Sequence, residues 1–227
     1  MLGGETMLRR VERGFTLIEV VVVFAILAVL TAVVLPSFSG WMAAQRLKQG
    51  ARSVADAFHF ARAEAIRTNH RYVVFFETIT AEDPAGNALE DAAGNPVPVL
   101  VLDDGPVATA NCEIDAGETT LTPVPILDGV SWGVSKATAA APLDDPGAVL
   151  SNGTSFVDPA GNDVNWVAFR PDGVPVGFDD TCTFGQTGSG GGGVYVTDGR
   201  RDYAITLSPL GGVRIHAWEE VSGTWTN

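Results

Sequence analysis

The chain runs apolar from position 15 to 35, FTLIEVVVVFAILAVLTAVVL, broken only by Thr16, Glu19 and Thr31. A helix of roughly 20 apolar residues crosses a hydrocarbon core of about 30 Å, so the run predicts a membrane-spanning helix over 15–40. Pro36 interrupts it. A proline removes a backbone hydrogen bond and clashes with the preceding turn, so it either kinks the helix or ends the membrane segment. Beyond Gly40 the pattern turns amphipathic: Leu47, Ala51, Val54, Phe58, Ala61 and Ala65 recur at alternating spacings of four and three. That is one helical stripe, with Arg46, Lys48, Arg52, Arg62 and Arg67 largely off it, and it predicts a continuation of the helix over 41–70.

After position 77 the period changes. Short β runs follow, separated by Gly, Pro, Asp and Asn. The expected strands are 97–102, 130–134, 165–170, 193–197, 203–207 and 213–218. The last three lie close together across Asp198-Gly199 and Leu210-Gly211-Gly212, which reads as an antiparallel meander. The expected fold class is therefore α+β, a long N-terminal helix packed on an antiparallel β-sheet head over 71–227. Stretches 81–98 and 138–152 read as surface loops, and the glycine run 188–193 as a flexible connection.

Charge divides the chain more sharply than the formal net of −13 suggests. Nine of the 14 basic residues fall in 1–71, so the rest carries five basic residues against 22 acidic ones. Arg9, Arg10 and Arg13 immediately precede the apolar run, which by the positive-inside rule keeps the N-terminus cytoplasmic and sends the head outward. An acidic head repels phosphate backbones, so nucleic acid is a disfavoured partner. Cys112 and Cys182 are the only cysteines; in an exported head they form one disulfide or remain two thiols.

Little else suggests chemistry. His59 and His70 lack Cys or carboxylate partners at metal-ligand spacing and read as surface or helix-end residues. The pairs Asp103-Asp104, Asp144-Asp145 and Asp179-Asp180 lack the calcium-loop pattern and read as solvated loop charge. The glycine run lacks the Lys-Ser/Thr ending of a phosphate loop. No metal, cofactor or catalytic constellation is expected, and the chain is not read as an enzyme.

Glu19 is the anomaly of the apolar run. A carboxyl at this depth costs about 2.5–3.5 kcal/mol on insertion scales and is normally kept for a partner. Around it, Arg13-Gly14-Phe15-Thr16-Leu17-Ile18-Glu19 resembles the processing site of type IV prepilins. The resemblance implies a leader over 1–14, starting at Met1 or Met7, that prepilin peptidase removes after Gly14. It also implies that Phe15 becomes an N-methylated N-terminus and that Glu19 is the assembly residue. Stacking then lets the Glu19 carboxylate neutralise the Phe15 ammonium of a neighbour.

Two further regions carry a finer resemblance. The helical ARAEAI at 61–66, leading to RYVVFFE at 71–77, and the C-terminal Phe169-Arg170-Pro171-Asp172-Gly173 with its closing hairpin are similar to the GspH/FimT group of minor pseudopilins. That resemblance implies an inner-membrane subunit of a type II secretion pseudopilus with a periplasmic head. Its partners would be other pseudopilins or pilins and an assembly platform. A FimT-like minor pilin of a type IV pilus, serving pilus assembly or DNA uptake, is the rival reading. Its expected basic C-terminal patch is thin here, with Arg200, Arg201 and Arg214 set against Asp198, Asp202, Glu219 and Glu220.

Overall fold

The computed structural model describes residues 14–91, 93–115, 117–121 and 129–226, with positions 33–37 and 121 described by backbone alone. Residues 1–13 of the predicted leader, with both candidate start methionines, lie outside the described residues. By contacts the chain divides into two units, Met1–Met42 and Ala43–Asn227. Helix α1, Leu17–Thr68, carries its helical assignment through Pro36 and contributes to both.

In the first unit α1 exposes its apolar side chains, among them Leu17, Ile18, Phe24 and Val29. Among the described residues no helix is long and apolar enough to cross a membrane.

In the second unit α1 packs on two antiparallel sheets. Strands β1 (Tyr72–Phe76), β2 (Val99–Asp103), β3 (Thr119–Leu121), β5 (Trp166–Phe169) and β6 (Pro175–Val176) form one sheet in the order β3-β2-β1-β5-β6. Strands β4 (Ser131–Trp132), β7 (Gly192–Thr197), β8 (Asp202–Leu207), β9 (Val213–Glu219) and β10 (Thr224–Thr226) form the other, ordered β10-β9-β8-β7-β4. The expected meander is β7-β8-β9. The arrangement is the α+β class read from the sequence, with two sheets in place of one. Strands β3, β6 and β10 escaped the sequence reading because two or three residues carry no usable period.

The six-residue stripe predicted on the helix is fully buried in the core. Phe58 is its centre, its ring 5.7 Å from Phe76 of β1, 6.0 Å from Phe156 and 6.3 Å from Phe169 of β5. Val194, Val196, Ile205 and Leu207 of the second sheet join the same core, so one helix face closes both sheets. Burying a Phe or Leu side chain stabilises by about 1.5–3 kcal/mol, which explains why this half of α1 needs no strong intrinsic helix preference. The Arg62 guanidinium adds a polar tie, donating from Nη1 to the Gly211 carbonyl at 2.7 Å.

Two readings of the loops are corrected. The run 188–193 is packed, not a free connection. A Cβ on Gly190 would lie 2.4 Å from the Val176 nitrogen, and one on Gly192 would lie 2.7 Å from the Phe156 ring. Glycine is there because β6 and Phe156 approach the backbone too closely for a side chain.

The acidic pairs are likewise mostly structural rather than solvated. Asp104 is buried and ion-paired to Arg71, whose Nε stands 2.5 Å from its Oδ2. Asp103 takes His70 Nδ1 at 2.8 Å and the Tyr72 hydroxyl at 2.9 Å, which leaves His70 as a hydrogen-bond partner at the helix end. Asp144 accepts the hydroxyls of Ser155 and Tyr195. The sequence pattern behind other acids went unread: Asp-Pro-Ala-Gly-Asn at 83–87 and 158–162 and Asp-Ala-Ala-Gly-Asn at 91–95. In each, the Asp Oδ1 accepts the Asn backbone N–H (2.7, 2.9 and 2.8 Å in chain order) and the Gly takes a positive φ of 82–88°. These are three copies of one tight turn, closing small hairpins at Glu82↔Ala88, Glu90↔Pro96 and Val157↔Asp163.

Candidate functional site

The start of α1 is built from three consecutive chemical choices. Gly14 lies outside the helix, exposed, with open space where a side chain would stand. Phe15 follows, 84% exposed, so both sides of the Gly14–Phe15 bond are accessible. Thr16 begins the helix: its Oγ1 accepts the Glu19 N–H at 3.3 Å and its carbonyl accepts the Val20 N–H at 3.3 Å. The side-chain oxygen thus satisfies one of the donors that a helix N-terminus leaves unpaired.

Glu19 occupies the first turn, where a carboxylate lies on the positive end of the helix dipole. A shallow groove of ≈ 300 Å³ runs along the helix there, lined by Phe15, Glu19, Val20, Val23 and Phe24. The carboxylate therefore has one side of apolar contact and no cationic partner among the described residues. Thr16 was not singled out from the sequence. Its signal was present, since Thr followed three residues later by Glu ahead of an apolar run is the pattern of a capping box.

The remaining candidate residues sit apart from this segment in sequence. The side chain of Pro36 is not described. Cys112 and Cys182 are joined in a disulfide, with Cα atoms 5.6 Å apart and 70 positions of chain between them. The bridge ties the loop after β2 to the turn before Phe184. Arg71 lies beneath it, donating to Cys182 Sγ at 3.3 Å and standing 4.4 Å over the Phe184 ring. A cleft of ≈ 570 Å³ opens beside this cluster, and its two guanidinium groups are already paired, Arg71 with Asp104 and Arg170 with Asp172. Among the described residues no group of three or more His, Cys, Asp or Glu is arranged to hold a metal ion.

Two carboxylates, the buried Asp202 and the half-buried Asp144, pin the segment between β4 and the short 3-10 turn Leu150–Asn152 onto the second sheet. Asp202 accepts the backbone N–H groups of Ser135, Lys136 and Ala137 at 3.0, 2.6 and 2.7 Å. Burial would raise its pKa, but the neighbouring Thr197 hydroxyl and these N–H donors outweigh burial and hold the carboxyl below its ordinary range. At Asp144 burial wins over the hydrogen bonds from Ser155 and Tyr195, and the pKa is raised.

Comparison with curated proteins and with solved structures gave no significant match. Residues 9–35 match one family model, the prokaryotic N-terminal methylation motif. The match covers Gly14, Phe15 and Glu19 together with the apolar start of α1, and it supports a type IV pilin-like protein.

Proposed function

We propose that the chain is a minor pseudopilin, a structural subunit of the type II secretion pseudopilus. Prepilin peptidase removes the leader after Gly14, Phe15 is methylated at its new amine, and residues 15–40 hold the subunit in the inner membrane with a periplasmic head. The observation that carries this reading is the methylation-motif match over residues 9–35 on an exposed Gly14–Phe15 bond just ahead of a capped helix. The exposed bond suits a peptidase working at the membrane surface. The Glu19 carboxylate, set in the first turn beside an apolar groove, suits the ammonium of a neighbour's Phe15, since pairing removes two costly charges from an apolar setting at once.

Charge favours a secretion subunit over a pilin that captures DNA. The turn between β7 and β8 offers Arg200 and Arg201 and β9 offers Arg214, and Asp198 already accepts the backbone N–H groups of Arg200 and Arg201. With Glu219 and Glu220 alongside, no basic stripe for phosphates emerges.

Intact mass and N-terminal sequencing of the membrane form, with and without prepilin peptidase, test the reading. A mature chain beginning at N-methylated Phe15 is expected. A chain that keeps its leader in the presence of the enzyme overturns the filament role.

A further inference from the structure

Within the second unit a groove of ≈ 310 Å³ lies between α1 and strands β8 and β9, lined by Lys48, Arg52, Tyr203, Ile215 and Ala217. Lys48 and Arg52 stand one helical turn apart on the same face, both exposed. Neither makes an ion pair among the described residues, although residues 72–227 hold 22 acidic side chains against five basic ones. The floor is apolar and aromatic, and Tyr203, Ile215 and Ala217 are only half-buried. Two cations left unpaired in so acid-rich a chain, above an unfilled apolar floor, call for an acidic partner with an apolar tip.

The chain carries such a tip. The turn after β9 presents Glu219, Glu220 and Val221, and Val221 is 98% exposed. Glu220 makes one loose contact, 3.8 Å to Lys136 Nζ, and Glu219 accepts the Ser222 hydroxyl at 2.9 Å, so both carboxylates remain open to a partner. We propose that the Lys48–Arg52 groove of one copy receives the Glu219–Glu220–Val221 turn of a second copy, with the carboxylates on the two cations and Val221 on the Tyr203, Ile215 and Ala217 floor. The inference rests on the filament-subunit reading, which sets heads side by side; the choice of a second copy rests on the complementary turn that the chain itself carries. Anionic lipid would answer the cations, but a headgroup has nothing to place on the apolar floor.

Lys48 and Lys136 are the chain's only lysines, which makes zero-length coupling of lysine to carboxylate unusually clean. Full-length chain in zwitterionic micelles, an equal mixture of nitrogen-14 and nitrogen-15 protein, is treated with a water-soluble carbodiimide and its peptides are sequenced by mass. Lys136–Glu220 within one copy is the internal control. Lys48 joined to Glu219 or Glu220 in mixed-isotope pairs is expected. The double variant Glu219→Lys/Glu220→Lys, combined with Lys48→Glu/Arg52→Glu, should restore the association that either double variant alone lowers at least fivefold. Absence of mixed-isotope Lys48 links, or no recovery in the combined variant, overturns the inference. So does loss of binding to phosphatidylglycerol vesicles in Lys48→Glu/Arg52→Glu without any such link, which assigns the cations to lipid. The same sample is checked for trimming at Phe15: a trimmed chain without the link retains the filament reading and loses only this contact.

Discussion

The Asp104 carboxylate closes on the Arg71 guanidinium at 2.5 Å with both side chains almost wholly withdrawn from solvent. The second carboxylate oxygen of Asp104 accepts the backbone N–H groups of Asn111 and Cys112, each at 3.0 Å, so one acid holds the helix-to-β1 junction against the loop that carries the disulfide. Removing one partner of a buried, hydrogen-bonded pair leaves the other charge uncompensated, which typically costs about 3–5 kcal/mol. Asp104→Ala should lower the stability of the head by that amount in denaturant titration. Arg71→Met, which leaves Asp104 its two N–H donors, should cost less.

The disulfide acts on the same junction through the unfolded chain. Closing a loop across 70 positions restricts the denatured ensemble by about 4 kcal/mol in the chain-entropy account. Cys112→Ser/Cys182→Ser should show that loss in denaturant titration, and reducing agent should reproduce it in the wild type but leave the double variant unchanged.

How much of this was legible in the sequence differs element by element. The Leu47 to Ala65 stripe was fully readable because helical burial repeats locally, and all six positions are buried. The division into two sheets was not. β1 pairs with β2 across a 22-residue connection and with β5 across roughly 90 residues, and hydrophobic period says nothing about which distant strands meet. The acids of 103, 104 and 144 were misread for a related reason: a structural carboxylate is marked by its partners, and Arg71, Tyr72 and Tyr195 come from other elements. At the N-terminus the chemistry is contiguous, so Gly14, Phe15 and Glu19 could be singled out without a fold.

Two acids should give opposite pH dependences. Asp202 titrates below its ordinary range in the folded head, so the stability it adds is fully present above the unfolded carboxyl pKa of about 3.9 and is lost as pH falls through the folded value. Asp144 titrates above its ordinary range, so its contribution is largest below about pH 3.9 and declines as pH rises through the folded value. Asp202→Asn should therefore destabilise at pH 7 and flatten the acid side of the stability profile. Asp144→Asn keeps an acceptor for Tyr195 and should be nearly neutral at pH 7. Urea midpoints of both variants from pH 3 to 8 check the pair of signs.

Gly190 sets how close β6 lies to the glycine run. Its missing Cβ would stand 2.4 Å from the Val176 nitrogen and 2.7 Å from the Pro175 carbonyl carbon, both backbone atoms that cannot swing aside. Gly190→Ala should destabilise the head by about 1–3 kcal/mol, the usual cost of overpacking, and should raise amide exchange at Val176. Gly199→Ala is a useful contrast. It meets no atom, and its cost comes only from a φ of +78° that an L side chain adopts reluctantly.

The Thr16 cap fixes where α1 begins, and with it where Glu19 stands relative to Phe15. Its Oγ1 accepts the Glu19 N–H, and replacing a capping Thr by a residue without that oxygen costs the helix about 1 kcal/mol. Thr16→Val, nearly identical in shape, should raise amide exchange at Glu19 about fivefold in the full chain in micelles, the factor corresponding to about 1 kcal/mol, whereas Thr16→Ser should leave it unchanged. If Glu19 works by meeting a neighbour's ammonium at a fixed height on the helix, Thr16→Val should also lower filament yield while trimming at Gly14 proceeds normally. Equal yields from the Val and Ser variants would show that the first turn holds its place without the cap.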